Sequence, residues 1–241
     1  MWPFNSVPKM KDSDFFRGLI DWHSHILPGV DDGIRTMSES LAVLKSYEEL
    51  GVKKLWLTPH IMEDCPNTPE KLNERFEELK SVYHGPIELR LAAEHMLDSL
   101  FEERLEKDIL MPIGEEKEHV LVETSYVNPP YAMQEMIDGL KKKGYVPVLA
   151  HPERYRYMEK EDYLKWKEEG LLFQMNFMSL LGGYGETARK KSEWLLKEGM
   201  INMVGSDLHR KIMLDNALIR SPKKKELLKL VTDISHNPAI R

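Results

Sequence analysis

The chain has 241 residues, 41% hydrophobic and 31% charged, with a formal net charge of -6. That length can bury one sizeable core, and the acidic balance offers no basic surface for nucleic acid. The single cysteine, Cys65, excludes a disulfide framework and suits a reducing compartment.

Residues 1–17 contain neither the apolar core of a signal peptide nor a membrane span. They are read as an N-terminal arm on a cytoplasmic protein, with Trp2, Phe4, Phe15 and Phe16 available to pack it onto the body at 18–241. From there apolar runs alternate with amphipathic stretches, the pattern of repeated βα units.

A first strand over Leu19–Trp22 ends at His23. A helix over Met37–Leu50 follows, with Thr36 and Glu39 at capping-box spacing and Gly51 placed to end it. The strand near Lys54–Thr58 runs into Pro59-His60. Thr68-Pro69 opens a helix to about Tyr83. Ile87 to Ala92 leads to Glu94, a helix spans about Leu97 to Lys107, and Val120–Val122 ends at Glu123. Pro130–Lys143 reads as helix, and Val146–Ala150 as a strand ending at His151. A short helix over Asp162–Glu169, a strand over Leu171–Met175 and a helix over Glu186–Glu198 follow. The last strand, Met200–Val204, leads to Gly205-Ser206-Asp207, and a terminal helix is expected from Lys224 to Val231. Seven βα-type strands, with no linker and no low-complexity segment, predict an α/β barrel.

The chemistry-bearing residues sit where these strands end, the face on which such barrels carry their active sites. His23 and His25 are two apart at a strand end, so both rings reach one ion; alone, this pair is a weak signal. Asp207-Leu208-His209 repeats the spacing, against the alternative that Asp207 merely caps a helix. His60 and His151 are each flanked by proline, which limits the local backbone. Taken singly, each reads better as a half-buried histidine. Glu94 and Glu123 end apolar strands, where a bare charge is too costly to bury. Asp31-Asp32-Gly33 has turn chemistry, and only the nearby H-x-H lifts Asp32 to a ligand. His84, His95, His119 and His236 lack such context.

Mixed imidazole and carboxylate donors suit Mn, Zn or Fe, and clustered cations suit phosphoester or amide hydrolysis. Arg154, three residues beyond His151, could hold phosphate oxygens bidentately or form a surface ion pair. A cysteine-based phosphatase is excluded: the residue six beyond Cys65 is Lys71, not arginine.

Together these segments resemble the polymerase and histidinol phosphatase (PHP) superfamily, and within it the bacterial protein-tyrosine phosphatases of capsule and exopolysaccharide synthesis. The resemblance is carried by Asp21 through His23-Ser24-His25 to Asp31-Asp32-Gly33, then Thr58-Pro59-His60, Ala93-Glu94 and Val122-Glu123. His151-Pro152-Glu153-Arg154-Tyr155 and Ser206-Asp207-Leu208-His209 follow in order. It covers about Ile20 to Arg210.

The resemblance implies a distorted seven-stranded (β/α) barrel and three divalent ions, manganese first, with iron or zinc as alternatives. His23, His25, Glu94 and Asp207 would hold one ion. Glu94, Glu123 and His151 would hold a second, and Asp32, His60 and His209 a third. Arg154 matches the phosphate-binding arginine; Arg210 or Lys211 stands near the place of a second. Hydroxide supplied by the metals would attack phosphorus in line, without a covalent intermediate, and phenolate would leave. Arg154, Asp207 and His209 would carry catalysis, with His209 or His95 available to assist the leaving group. The implied partner is a phosphotyrosine protein, in particular a bacterial tyrosine kinase tail met at the membrane surface without insertion. A small-molecule phosphoesterase of histidinol-phosphatase type and a non-catalytic phosphotyrosine-binding regulator are the competing readings.

Overall fold

A computed structural model describes residues 6–116 and 118–236. Among the described residues there are nine strands: β1 (Ile20–Asp21), β2 (Lys54–Leu57), β3 (His60–Ile61), β4 (Glu88–Leu91), β5 (Glu94–Met96), β6 (His119–Glu123), β7 (Val146–Ala150), β8 (Leu172–Asn176) and β9 (Met203–Gly205). Every pairing between them is parallel. They form a three-stranded sheet, β1-β2-β4, and a six-stranded sheet, β3-β5-β6-β7-β8-β9.

The pattern differs from the seven strands expected in two further short strands, β3 and β5, beyond the ends expected at Thr58 and Ala92. Thr58-Pro59 separates β2 from β3, and Ala92-Ala93 separates β4 from β5. Proline has no N–H to give to a ladder. Backbone bonds nevertheless continue across the breaks, from Ala92 N–H to Leu57 O at 2.9 Å and from Glu94 N–H to Pro59 O at 3.1 Å. At the other side, Trp22 N–H donates to Val204 O at 3.3 Å and Ser206 N–H to His23 O at 3.1 Å, so β1 lies beside β9. The whole is a curled parallel sheet wrapped by helices.

The helices are α1 (Met37–Leu50), α2 (Pro69–Val82), α3 (Ser99–Lys107), α4 (Met133–Lys142), α5 (Lys160–Glu168), α6 (Phe177–Leu180), α7 (Gly185–Lys197), α8 (Lys211–Leu218) and α9 (Lys225–His236). The capping box expected at Thr36 and Glu39 is formed, and Thr68 caps α2 ahead of Pro69. Two short helices, α6 and α8, fall where no helix was expected. Each begins within six residues of a strand end in a segment too short to show helical periodicity.

Side chains alternate across the curled sheet. Leu55, Leu57, Val120, Val122, Leu149 and Val204 join the large core under the helices. Trp22, Trp56, Ala92, Leu121, Val148, Ala150 and Met203 form a separate inner cluster. Both faces are thus buried, which explains why the strands read as continuous apolar runs. The inner positions next along the strands are polar: Glu94 after Ala92, Glu123 after Leu121, Gln174 and Asn176 after Leu172. The inner cluster is the floor on which the polar layer stands.

Of the arm's aromatic residues, Trp2 and Phe4 lie outside the described residues. Phe15 and Phe16 are fully buried and pack against Phe177 at 5.0 and 5.7 Å between ring centroids. No helix among the described residues is long and apolar enough to cross a membrane.

Candidate metal centre

The polar layer is a dense set of metal-type donors. His23, His25, Glu94 and Asp207 form one group, His60, Glu94 and Glu123 a second, and His25, Asp32, His60 and His209 a third; within each, the donor atoms lie within 4.8 Å of one another. His23 Nε2 is 3.1 Å from Glu94 Oε2 and 3.7 Å from Asp207 Oδ1, and His25 Nε2 is 3.2 and 3.4 Å from the same two oxygens. Glu94 Oε2 is also 3.2 Å from His60 Nδ1, which lies 3.0 Å from Glu123 Oε1. Glu94 therefore sits between the groups. His151 is outside the three tight groups, yet its Nε2 is 2.9 Å from Glu94 Oε1 and 3.7 Å from Glu123 Oε2. Asp32, at the rim, is 3.5 Å from His60 Nε2 and 3.3 Å from His209 Nε2.

These atoms approach without satisfying one another. Buried His60 Nδ1, Glu94 Oε2 and Glu123 Oε1 have no hydrogen-bond partner. Unpaired buried polar atoms are expensive, and burying bare carboxylates more so. Burial pushes the carboxyl pKa of Glu94 and Asp207 up, but the surrounding imidazoles overcome this and hold both well below the carboxylate range. Burial likewise works against a proton on His23, which Glu94 and Asp207 override, raising its pKa. The donor set thus draws positive charge, which divalent cations would supply better than protons. The residues fit a cation cluster. His60 faces two groups with its two nitrogens, and a neutral imidazole has one lone pair, so His60 can serve only one of them.

Other contacts fix the rings. His25 Nδ1 is 2.8 Å from Asp31 Oδ2, which also accepts from His60 N–H at 3.1 Å. Asp31, which the spacing grouped with a simple turn, thereby orients one ligand and the segment of another. Gly33 closes that loop: a Cβ there would stand 2.3 Å from His25 O and 2.5 Å from His25 Cβ. His209 Nδ1 lies 2.9 Å from Asp207 O. A carbonyl can only accept, so Nδ1 carries a proton, and Nε2, which faces Asp32, is the nitrogen available to a cation.

Asp207 divides its oxygens. Oδ1 faces the histidines, while Oδ2 accepts from Arg154 Nη1 at 2.6 Å, Asn176 Nδ2 at 2.7 Å and Tyr184 Oη at 3.2 Å. The Arg154 guanidinium lies between the Tyr126 and Tyr184 rings, 4.3 and 4.2 Å from their centroids, a geometry that favours the cation. A cavity of about 340 Å³ opens over the centre, lined by Asp32, His60, Tyr126, Arg154, Tyr184, Asp207, His209, Arg210 and Met213. Arg210 is exposed at its edge, whereas Lys211 is held 2.7 Å from Asp215.

His95 is not placed to assist. It is fully buried against Phe101, accepts from Met111 N–H at 3.3 Å, and burial and then Arg104 pull its pKa down to about 3. Its neighbour Glu94 points inward, so His95 points out. Gln174, Asn176, Tyr126 and Tyr184 escaped the sequence reading. For the first two the signal was present as polar residues two apart at the end of an apolar strand.

A fold with its polar layer at the strand ends and this donor set define a metallohydrolase-type centre. Residues 19–234 match the family model described as "Capsular polysaccharide synthesis, CpsB/CapC", and the chain belongs to that family. It is 29% identical over 197 residues to the tyrosine-protein phosphatase YwqE of Bacillus subtilis, covering 79% of this chain and 77% of that protein. It is 26% identical over 232 residues to the tyrosine-protein phosphatase CpsB of Streptococcus agalactiae, covering 88% and 89%. A solved structure from work on YwqE of B. subtilis and CpsB of Streptococcus pneumoniae, described as unique metal-dependent tyrosine phosphatases, superposes with a TM-score of 0.71 at 25% identity. It covers 91% of this chain and 88% of that one.

Proposed function

We propose that this chain is a metal-dependent protein-tyrosine phosphatase that hydrolyses phosphotyrosine on a protein of a capsule or exopolysaccharide system, in particular the phosphorylated tail of a bacterial tyrosine kinase. The observation that carries the reading is the convergence of nine ligand-type side chains in one polar layer, four of them lining a cavity with the Arg154 guanidinium at its wall. The kinship with tyrosine-protein phosphatases supports the substrate class.

The centre takes three divalent ions, manganese first. His23, His25, Glu94 and Asp207 hold one; Glu94, Glu123 and His151 hold another; Asp32, His60 and His209, with His25 beside them, hold the third. The nine strands are read as seven strand paths of a distorted barrel, with β2 continuing into β3 and β4 into β5, and 18–241 as the catalytic body. The protein acts in the cytoplasm and meets its partner peripherally.

Divalent cations held there would supply Lewis acidity toward phosphate oxygens and a source of hydroxide at neutral pH. The chain supplies the rest. Arg154, fixed by Asp207 and two tyrosine rings, presents its remaining N–H donors to phosphate oxygens. Arg210 adds a second positive charge at the rim. With a cation on its Nε2, His209 would have no proton there to give to the leaving group. None is required: a phenol of pKa about 10 leaves as phenolate far more readily than an alkoxide.

The test is reconstitution. Metal-stripped protein should release no phosphate from a phosphotyrosine peptide and regain activity with manganese. Activity unchanged by complete stripping would refute the proposal.

A further inference from the structure

β8 contributes no donor to the three groups, although Gln174 and Asn176 project from it into the polar layer, both fully buried. Their contacts form one chain. His151 N–H donates to Gln174 Oε1 at 3.4 Å, and His23 Nδ1 lies 2.7 Å from the same oxygen. Gln174 Nε2 donates to Asn176 Oδ1 at 3.0 Å, and Asn176 Nδ2 donates to Asp207 Oδ2 at 2.7 Å.

The direction of this chain is fixed by its first link. A backbone N–H can only donate, so the Gln174 atom facing His151 is its oxygen. That oxygen can only accept, so His23 carries a proton on Nδ1, and Nε2, which faces Glu94, His25 and Asp207, is the nitrogen left for a cation. The Gln174 amide nitrogen must then donate to the Asn176 oxygen, which turns the Asn176 amide nitrogen onto Asp207. Asn176 thereby joins Arg154 and Tyr184 on Oδ2 of Asp207, leaving Oδ1 for the centre.

The backbone makes room for this arrangement. A Cβ on Gly205, in the neighbouring strand, would stand 2.8 Å from Gln174 Nε2 and 2.5 Å from His23 Cβ. Only glycine lets β9 pass this close. Asp207 (φ 52°) and His151 (φ 32°) both adopt left-handed backbone, a conformation non-glycine residues take at a cost. The two ligands at the ends of the chain are therefore held in unusual conformations, with the amides between them.

We infer that Gln174 and Asn176 are positioning residues: a directional amide relay on β8 that sets the tautomer of His23 and the free oxygen of Asp207, and so builds the His23–His25–Glu94–Asp207 site in its binding-competent form. The inference rests on the metal-centre reading above. Partners of a ligating histidine's second nitrogen fix its orientation and commonly change metal affinity by about 10–100-fold when removed.

The experiment is a manganese titration of metal-stripped full-length protein, read by bound metal per chain, on the parent and on Gln174→Met, Asn176→Leu and Gln174→Glu. Gln174→Met and Asn176→Leu should each weaken one manganese site by about 10–100-fold, while the stripped protein still melts in one cooperative transition, lowered only by the cost of the unpaired polar atoms. Gln174→Glu has the same size and keeps the acceptor for His23 and His151 but gives up the donor to Asn176. Holding His23 while freeing Asn176, it should weaken the site by less than Gln174→Met does. Parental affinity in Gln174→Met or Asn176→Leu overturns the relay, as does a loss in Gln174→Glu as large as in Gln174→Met. Failure of the parent itself to bind manganese would instead refute the metal-centre reading.

Discussion

Arg154 and Asp207 are joined by a 2.6 Å bond from Nη1 to Oδ2, 53 residues apart in sequence and both largely shielded from solvent. The bond ties the residue offered to phosphate to a residue offered to metal. It also means that the arginine is positioned before any substrate arrives, which lowers the cost of ordering it on binding. Replacing Arg154 by lysine keeps the charge but loses the planar fork and its packing between Tyr126 and Tyr184. Arg154→Lys should reduce kcat/KM for a phosphotyrosine peptide by about 100-fold, equivalent to about 2.7 kcal/mol, with metal content unchanged. Steady-state kinetics alongside metal analysis check both halves.

Removing metal should destabilise the fold. The stripped centre buries Glu94, Glu123 and Asp207 side by side, and binding to the native state alone stabilises by about 2.7 kcal/mol at 100 times Kd. Chelation should therefore lower the melting temperature by several degrees and manganese should restore it. His23→Ala and Asp207→Ala should blunt that response, as seen by differential scanning calorimetry.

Gly33 is the tightest point of the loop carrying Asp31 and Asp32. Gly33→Ala forces a Cβ against the His25 backbone, and relief must come from moving that loop. Overpacking of this kind costs about 1–3 kcal/mol. The variant should lose metal from the His25–Asp32–His60–His209 group, so that bound metal per chain falls while Thr36→Ala, which costs about 1 kcal/mol at the α1 cap, leaves it unchanged.

His95 predicts a pH effect on stability. Its folded pKa is about 3, below the roughly 6.5 of an unfolded histidine. Below about pH 6.5 the unfolded chain takes up a proton that the folded chain refuses, so stability present above that pH is lost progressively down to about pH 3. By about pH 5 this one residue costs about 2 kcal/mol. Urea midpoints for the parent and His95→Gln should therefore diverge between about pH 7 and pH 5, with the parent falling further.

Much of the fold was legible because its strands are buried on both faces. The runs at 54–58, 120–122 and 146–150 could be read from apolar content alone, and the capping box at Thr36 marked the start of α1. The short strands β3 and β5 beyond Pro59 and Ala92-Ala93 were not legible, since they depend on how far neighbouring strands continue. The ligand residues stood out because charge at the end of an apolar strand needs a reason. Gln174 and Asn176 did not, because neutral amides carry no such demand until the atoms facing them are known. Tyr126 and Tyr184 were hidden for another reason: their role is a stacking geometry around Arg154, which no spacing encodes.

Cys65 offers a separate check on the chemistry. It is half-buried, with burial and the nearby Asp31 and Asp32 pushing its thiol pKa up, the opposite of what a nucleophilic cysteine needs. Cys65→Ser should retain kcat/KM within about twofold, inside the scatter of a surface change; a loss of activity in that variant would return a cysteine mechanism to contention.

The most direct test compares manganese-loaded protein on three substrates: a phosphotyrosine peptide, the matching phosphoserine peptide and histidinol phosphate. Phosphate release that favours phosphotyrosine in kcat/KM, and that disappears in His23→Ala and Asp207→Ala, is the predicted result. Preference for histidinol phosphate would place the protein among small-molecule phosphoesterases, and no release from any of the three would leave a phosphotyrosine-binding regulator; either would contradict the proposed function.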